Sequence, residues 1–129
     1  MPKVALVVDD SMLIRYSICR FLEARGFEVE AAVNGAEALE HLARVRADLI
    51  VTDMRMPKMS GSEFITALKS KEETARIPVV VVTSKANGSC GPDERADFVI
   101  YKDIDVDTQL DAVLEAVMEN KSRGQANGK

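Results

Sequence analysis

The stretch ADLIVTDMRMPKMSG, residues 47–61, runs from an apolar core, Leu49-Ile50-Val51, through Thr52 into a carboxylate, Asp53. A short, continuously apolar run bounded by turn residues is the pattern of a strand covered on both faces. Three further runs share it: Val4 to Val8, Val79 to Val82, and Phe98 to Tyr101. A run from Phe27 to Ala32 instead alternates, with Phe27, Val29 and Ala31 set against Glu28 and Glu30, which suits an edge strand with one solvated face. Pro78 opens its strand, where a missing N–H does no harm.

Helical patterns separate these runs. Ser11 can cap the first, whose Ile14, Ile18, Phe21 and Leu22 repeat near 3.6 residues before Gly26 ends it. Asn34 with Glu37, and Ser60 with Glu63, have capping-pair spacing for the second and third. The last helix is predicted from about Asp105 to Asn120, with Val106, Leu110, Val113, Leu114 and Val117 as its apolar stripe. Between the fourth and fifth strands, SKANGSCGPDERAD offers little periodicity and several helix breakers. A fourth helix there is expected to be short or missing, with at most a turn around Pro92 to Ala96.

Alternating strands and helices imply an α/β fold, a five-stranded parallel sheet that is doubly wound, and the flavodoxin-like order 2-1-3-4-5 is the one expected for it. One domain is expected over residues 1–121, with SRGQANGK, residues 122–129, as a disordered tail.

Composition narrows the function. The chain has 129 residues and a net charge of -4, with a pI near 5.1, and no basic stripe of the kind nucleic acid requires. No apolar run approaches the ~20 residues needed to span a bilayer, and acids follow the N-terminal apolar stretch where a signal cleavage site would lie. Two cysteines, Cys19 and Cys90, make neither a disulfide framework nor a zinc site. Cys19 reads as a small core residue and Cys90 as a free thiol in a loop. Neither nucleic acid nor membrane is an expected partner, and a cytoplasmic location is the natural reading.

In an open sheet of this kind, ligands bind beyond the carboxyl ends of the strands. Asp9 and Asp10 follow the first strand, Asp53 ends the third, Thr83 and Ser84 end the fourth, and Lys102 ends the fifth. The strand order gathers all of them on one rim. Carboxylates so close repel unless a cation joins them. Oxygen donors with room for water suit Mg²⁺, or Mn²⁺ in its place. Acids, a lysine, a hydroxyl and a divalent ion are what phosphoryl transfer needs, and a carboxylate can be its nucleophile. Singly, each residue has a plainer reading: acids cap helices, and a lone lysine is a solvated charge. Met54, Met56 and Met59 read as packing, and His41, the only histidine, as a surface residue without a partner.

These motifs resemble a known family. VVDDS, DMRMPKMSG, a strand ending Thr-Ser, and ADFVIYK are similar to the receiver domain of response regulators in bacterial two-component systems, over residues 3 to about 120. The likeness is to single-domain, chemotaxis-regulator-like members, with an atypical fourth-helix region. It implies that Asp53 accepts a phosphoryl group from a histidine kinase or histidine phosphotransfer protein. Asp9, Asp10, Asp53 and the backbone carbonyl of Arg55 would hold Mg²⁺. Lys102 would pair with a phosphoryl oxygen, Thr83 would swing onto the phosphate, and Ser84 would contact the phosphoryl group. Such a protein is no enzyme beyond its own phosphorylation and dephosphorylation. It signals to a downstream protein target as a monomer or weak dimer.

Departures from the family pattern set further expectations. Val99 stands where an aromatic is usual, leaving Phe98 or Tyr101 to substitute. Asp103 replaces the usual proline after the lysine; a cis bond without proline costs about 2.5–4 kcal/mol, so a trans Lys102–Asp103 peptide is predicted. The segment from Thr83 to Lys102 is short and rich in helix breakers, so the adjoining signalling face should be altered. The alternative function is a degenerate receiver that binds proteins without phosphorylation. A dehalogenase-like phosphatase lacks its D-x-D here, and a flavodoxin lacks its phosphate loop.

Overall fold

In the computed structural model, residues 3–56, 58–84, 95–103 and 105–126 are described, with side chains described to residue 117. The elements are β1 (Val4–Val8), α1 (Met12–Ala24), β2 (Glu28–Ala32), α2 (Gly35–Leu42), β3 (Leu49–Asp53), α3 (Gly61–Lys69), α4 (Glu72–Ala75), β4 (Val79–Thr83), β5 (Phe98–Tyr101) and α5 (Val106–Ala126). All strand pairs are parallel. The sheet order is β2-β1-β3-β4-β5, the flavodoxin-like order expected.

Two cores flank the sheet because successive strand residues face opposite ways. Ala5, Val7, Val51, Val80 and Val82 meet Ile18, Phe21 and Leu22 of α1 and Leu110, Val113 and Leu114 of α5. On the other face Leu6, Val8, Ile50, Val79 and Val81 meet Ala38 of α2 and Phe64, Ile65 and Leu68 of α3. Residues of β3 and β4 are all buried, and apart from Thr52 both strands are apolar up to their last residue. There, Asp53 and Thr83 stand out as polar residues in buried positions.

The helix ends follow local rules. Ser11 accepts from the Ile14 N–H, and Gly26, with φ +91°, supplies the left-handed turn after α1. Ser60 and Glu63 form a reciprocal capping box on α3. Asn34 caps α2 through the Glu37 N–H, while Glu37 returns to Val33 rather than to Asn34.

Several expectations change. On β2, Ala31 is exposed and Ala32 buried, so the alternation shifts at its end, where Ala32 joins the α2–α3 core. Only Ile100 of β5 is buried, because β5 is the second edge of the sheet. Short α4 lies before β4, tied back by the Thr74 hydroxyl to the Leu68 carbonyl at 2.6 Å. Helix α5 continues past Asn120 to Ala126. The segment between β4 and β5, where a fourth helix is expected to be short or missing with at most a turn around Pro92 to Ala96, lies outside the described residues over 85–94, Cys90 included; Arg95 to Asp97 lead into β5 as turn and bend. His41 is not partnerless: its Nδ1 lies 2.7 Å from Glu30 Oε1, joining α2 to β2.

Candidate functional site

At the carboxyl rim, β1 delivers Asp9 and Asp10, and neighbouring β3 delivers Asp53. Asp9 is 1 % exposed and is anchored three ways. Its amide donates to the Ala32 carbonyl at 3.1 Å, its Oδ1 accepts from the Ser11 N–H at 2.8 Å, and its carbonyl accepts from Arg15 Nη1 at 2.8 Å. Its Oδ2 is buried with no hydrogen-bond partner among the described residues. Burial pushes the Asp9 carboxyl up to about 6; the Ser11 N–H works against that shift and the Asp53 charge adds to it.

Asp53 is 5 % exposed. Burial raises its pKa too, while the Lys102 ammonium and the N–H groups of Arg55 and Met54 favour the charged form. Lys102 Nζ lies 3.2 Å from Asp53 Oδ2. Lys102 follows β5, two strands from β3, so its side chain crosses the end of β4. The Lys102 amide donates to the Thr83 carbonyl at 2.8 Å, which ties it to β4.

Behind Asp53, the Thr52 hydroxyl donates to the Asp53 carbonyl at 3.0 Å. Gly61 closes the loop after β3, its amide donating to the Met54 carbonyl at 2.9 Å. A Cβ on Gly61 would lie 2.5 Å from the Asp53 carbonyl oxygen and 2.8 Å from the Met54 Cα, so only glycine fits this approach.

These residues fit a divalent cation. Carboxylate oxygens of Asp9, Asp10 and Asp53 lie within 4.8 Å of one another, two of the three groups buried and Asp10 exposed. An unpartnered buried carboxylate oxygen requires an explanation, and an ion supplies one. Hard oxygen donors with one face open to water match Mg²⁺. A cleft of about 650 Å³ lined by Lys3, Arg25, Phe27 and Leu114 lies at the opposite end of the sheet, away from this cluster.

The profile of the response regulator receiver domain matches residues 5–114. The chain belongs to the response regulator receiver domain family. The receiver is 37 % identical over 92 residues to the phosphate regulon transcriptional regulatory protein PhoB of Rhizobium meliloti (strain 1021), covering 69 % of this chain and 39 % of that protein. Response regulator MprA of Mycobacterium sp. (strain KMS) is 37 % identical over 105 residues, covering 79 % of this chain and 45 % of that protein. The chain therefore spans less than half the length of these curated relatives. Chemotaxis response regulator CheY4 of Vibrio cholerae superposes with a TM-score of 0.79 at 29 % identity, covering 91 % of this chain and 99 % of that one.

Asp103 follows Lys102 through a trans peptide, and no cis bond occurs among the described residues. The Asp103 carboxylate accepts from the Ser84 hydroxyl at 3.1 Å, so Ser84 turns to Asp103 in this structure. Phe98 packs into the α1–α5 core. Tyr101 instead pairs in register with Thr83, and in parallel strands paired residues share a face. The aromatic next to Thr83 is thus Tyr101, two positions along the strand from Val99. Arg55 meets Asp53 through its amide. The Arg15 contact with the Asp9 carbonyl carried no signal in the residue pattern, although its place one turn beyond Ser11 on α1 makes the contact local.

No helix among the described residues is long and apolar enough to cross a membrane.

Proposed function

We propose that Asp53 is a phosphoacceptor, charged by a histidine kinase or histidine phosphotransfer protein. A carboxylate oxygen attacks the phosphorus of a phosphohistidine; an O–P bond forms as the P–N bond breaks, and the imidazole nitrogen keeps the electron pair. Water later attacks the phosphorus, giving orthophosphate and the free carboxylate. Asp9, Asp10, Asp53 and the Arg55 carbonyl would hold Mg²⁺, with Mn²⁺ as its substitute. Bound there, the ion supplies positive charge against the phosphoryl oxygens. Lys102 neutralises another of those oxygens. The Thr83 hydroxyl then donates to the phosphate, with Ser84 contacting it once released from Asp103, and Tyr101 is the aromatic that senses the move.

The observation that carries this reading is the convergence on Asp53. A lysine lies 3.2 Å away, and two further carboxylates stand within reach of one cation. Met12, Leu13 and Tyr16 are 69 %, 79 % and 60 % exposed directly after Asp10, an apolar surface suited to a protein partner. We read the protein as a cytoplasmic signalling receiver, monomeric or weakly dimeric, that catalyses only its own phosphorylation and dephosphorylation. Its receiver unit runs to about residue 121, within the helix α5 that continues to Ala126, and it acts on a downstream protein.

The experiment is labelling by acetyl phosphate with Mg²⁺, read by intact mass, on wild type and Asp53→Asn. Wild type gains one phosphoryl group and the variant none. Equal labelling of both shows that the acceptor is another residue. No labelling of wild type, where a control receiver is labelled, favours the degenerate, phosphorylation-independent binding module, toward which the Ser84–Asp103 bond points.

A further inference from the structure

Lys102 sits in the loop between β5 and α5, and that loop carries Asp103 rather than a proline to stiffen it. Besides the Lys102 amide bond to the Thr83 carbonyl and the Ser84–Asp103 bond, one side chain joins both ends of this loop. The Lys102 amide points to β4, so the N–H and C=O of Tyr101 point the other way, off the open edge of the sheet. Both meet the amide of Gln109, on the second turn of α5. The Tyr101 N–H donates to Gln109 Oε1 at 2.9 Å, and Gln109 Nε2 donates to the Tyr101 carbonyl at 2.9 Å. The same Nε2 reaches the Asp105 carbonyl at 3.2 Å. Gln109 therefore grips the backbone on both sides of Lys102, before it at Tyr101 and after it at Asp105.

Gln109 is itself well anchored. Asp105 caps α5, accepting from the Thr108 hydroxyl at 2.8 Å and the Thr108 N–H at 3.3 Å. Leu110, the next residue, is fully buried in the α1–α5 core. The amide thus acts as a one-residue substitute strand, fixed to a packed helix and paired with the backbone of Tyr101 at the sheet edge.

We propose that Gln109 is a positioning residue, whose amide closes the loop from Tyr101 to Asp105 and so holds the Lys102 ammonium beside Asp53. Its effect on phosphorylation rests on the phosphoacceptor reading above, whereas the loop closure does not.

The test compares wild type, Gln109→Ala, Gln109→Glu, Lys102→Ala and the Lys102→Ala/Gln109→Ala double variant. Initial rates of labelling by acetyl phosphate are measured with Mg²⁺ affinity and backbone amide exchange. Misplacing a reacting group by about 1 Å costs up to about a hundredfold in rate, and Gln109→Ala is expected to label about tenfold slower. Its Mg²⁺ affinity should match wild type, because the carboxylates stand on β1 and β3. Gln109→Glu keeps the acceptor for the Tyr101 N–H but loses the donor, and falls between. In the Lys102→Ala background, Gln109→Ala should add nothing. A wild-type rate for Gln109→Ala, or an equal slowing with and without Lys102, overturns the positioning role. Exchange at Tyr101 and Lys102 should quicken in Gln109→Ala; unchanged exchange overturns the closure even if wild type takes no label, a result that would by itself overturn the phosphoacceptor reading.

Discussion

Replacing Gly61 by alanine places a methyl group against the backbone of Asp53. The position is the first of α3, and its φ is not in the left-handed region, so the backbone itself accepts alanine. By helix propensity alone the change would stabilise by about 0.5–1 kcal/mol. Sterics oppose it. The new Cβ would lie 2.5 Å from the Asp53 carbonyl oxygen, where ordinary contact begins at 3.4 Å, so the two must part by 0.9 Å (3.4 − 2.5). Neither side gives easily: the Gly61 amide is bonded to the Met54 carbonyl, and Phe64 and Ile65 of α3 are fully buried. Overpacking of this kind costs about 1–3 kcal/mol, which exceeds the propensity gain. Gly35→Ala is the matched control. Its Cβ would meet Met59 Sδ at 2.8 Å and Cγ at 2.9 Å, which a flexible side chain can swing away, and Met59 Cβ at 3.1 Å, which must give by only a few tenths of an ångström. Urea unfolding should rank Gly61→Ala well below wild type and Gly35→Ala near it. A shift of Asp53 approaching 1 Å should also slow acetyl phosphate labelling of Gly61→Ala by about tenfold or more. Wild-type stability and labelling in Gly61→Ala, or a larger loss in Gly35→Ala, would refute the packing argument.

Asp9→Asn should stabilise the metal-free protein at neutral pH. The folded carboxyl holds its proton up to about 6 against 3.8 in the unfolded chain, so its contribution is fully present below 3.8 and lost as pH rises through 6. The ionised group then costs up to about 3 kcal/mol. Chemical unfolding in chelator should give a gap between variant and wild type that narrows as pH falls from 6 toward 3.8; a pH-independent gap refutes this. Lys58 has φ 70°, which for a residue with a Cβ costs about 1–2 kcal/mol. Lys58→Gly should raise the urea midpoint at constant m-value, and a lower midpoint contradicts it. Arg25 makes two bonds to Asp111 at 2.9 and 3.2 Å and stacks 3.5 Å from the Phe21 ring centre. The bridge is exposed, so Asp111→Ala should cost under about 1 kcal/mol; Arg25→Ala should cost more, having lost the stack as well, and equal costs would show that the stack contributes nothing.

The parts of this fold that were legible are those governed by local chemistry or by burial on two faces. The runs in β1, β3 and β4 could be read as covered strands because nearly all their residues are buried. The caps at Ser11, Asn34 and Ser60 were legible because each bond spans three residues. Gathering Asp9, Asp10, Asp53, Thr83 and Lys102 on one rim needed only strand direction and order. What escaped depends on how elements rotate against one another. Nothing in the spacing of Glu30 and His41 shows that α2 turns its histidine toward β2. Gln109 sits beside the apolar stripe of α5 and reads as a solvated position until the β5 edge is placed next to it. At the end of β2, the choice between Ala31 and Ala32 could not be made from side chains of identical size.

Strands lie about 4.8 Å apart, so a lysine rooted beside β5 and bonded at β3 bridges about 10 Å of the rim over the tip of β4. It is a strut between the middle of the sheet and its margin. Strand β5 buries only Ile100, so against such a pull the margin is held mainly by its ladder with β4 and by the Gln109 amide. Adding charge to the carboxylate at the middle tightens the strut, and neutralising it slackens the strut. The fit of the outermost strand thus becomes a mechanical gauge of the chemistry at the centre.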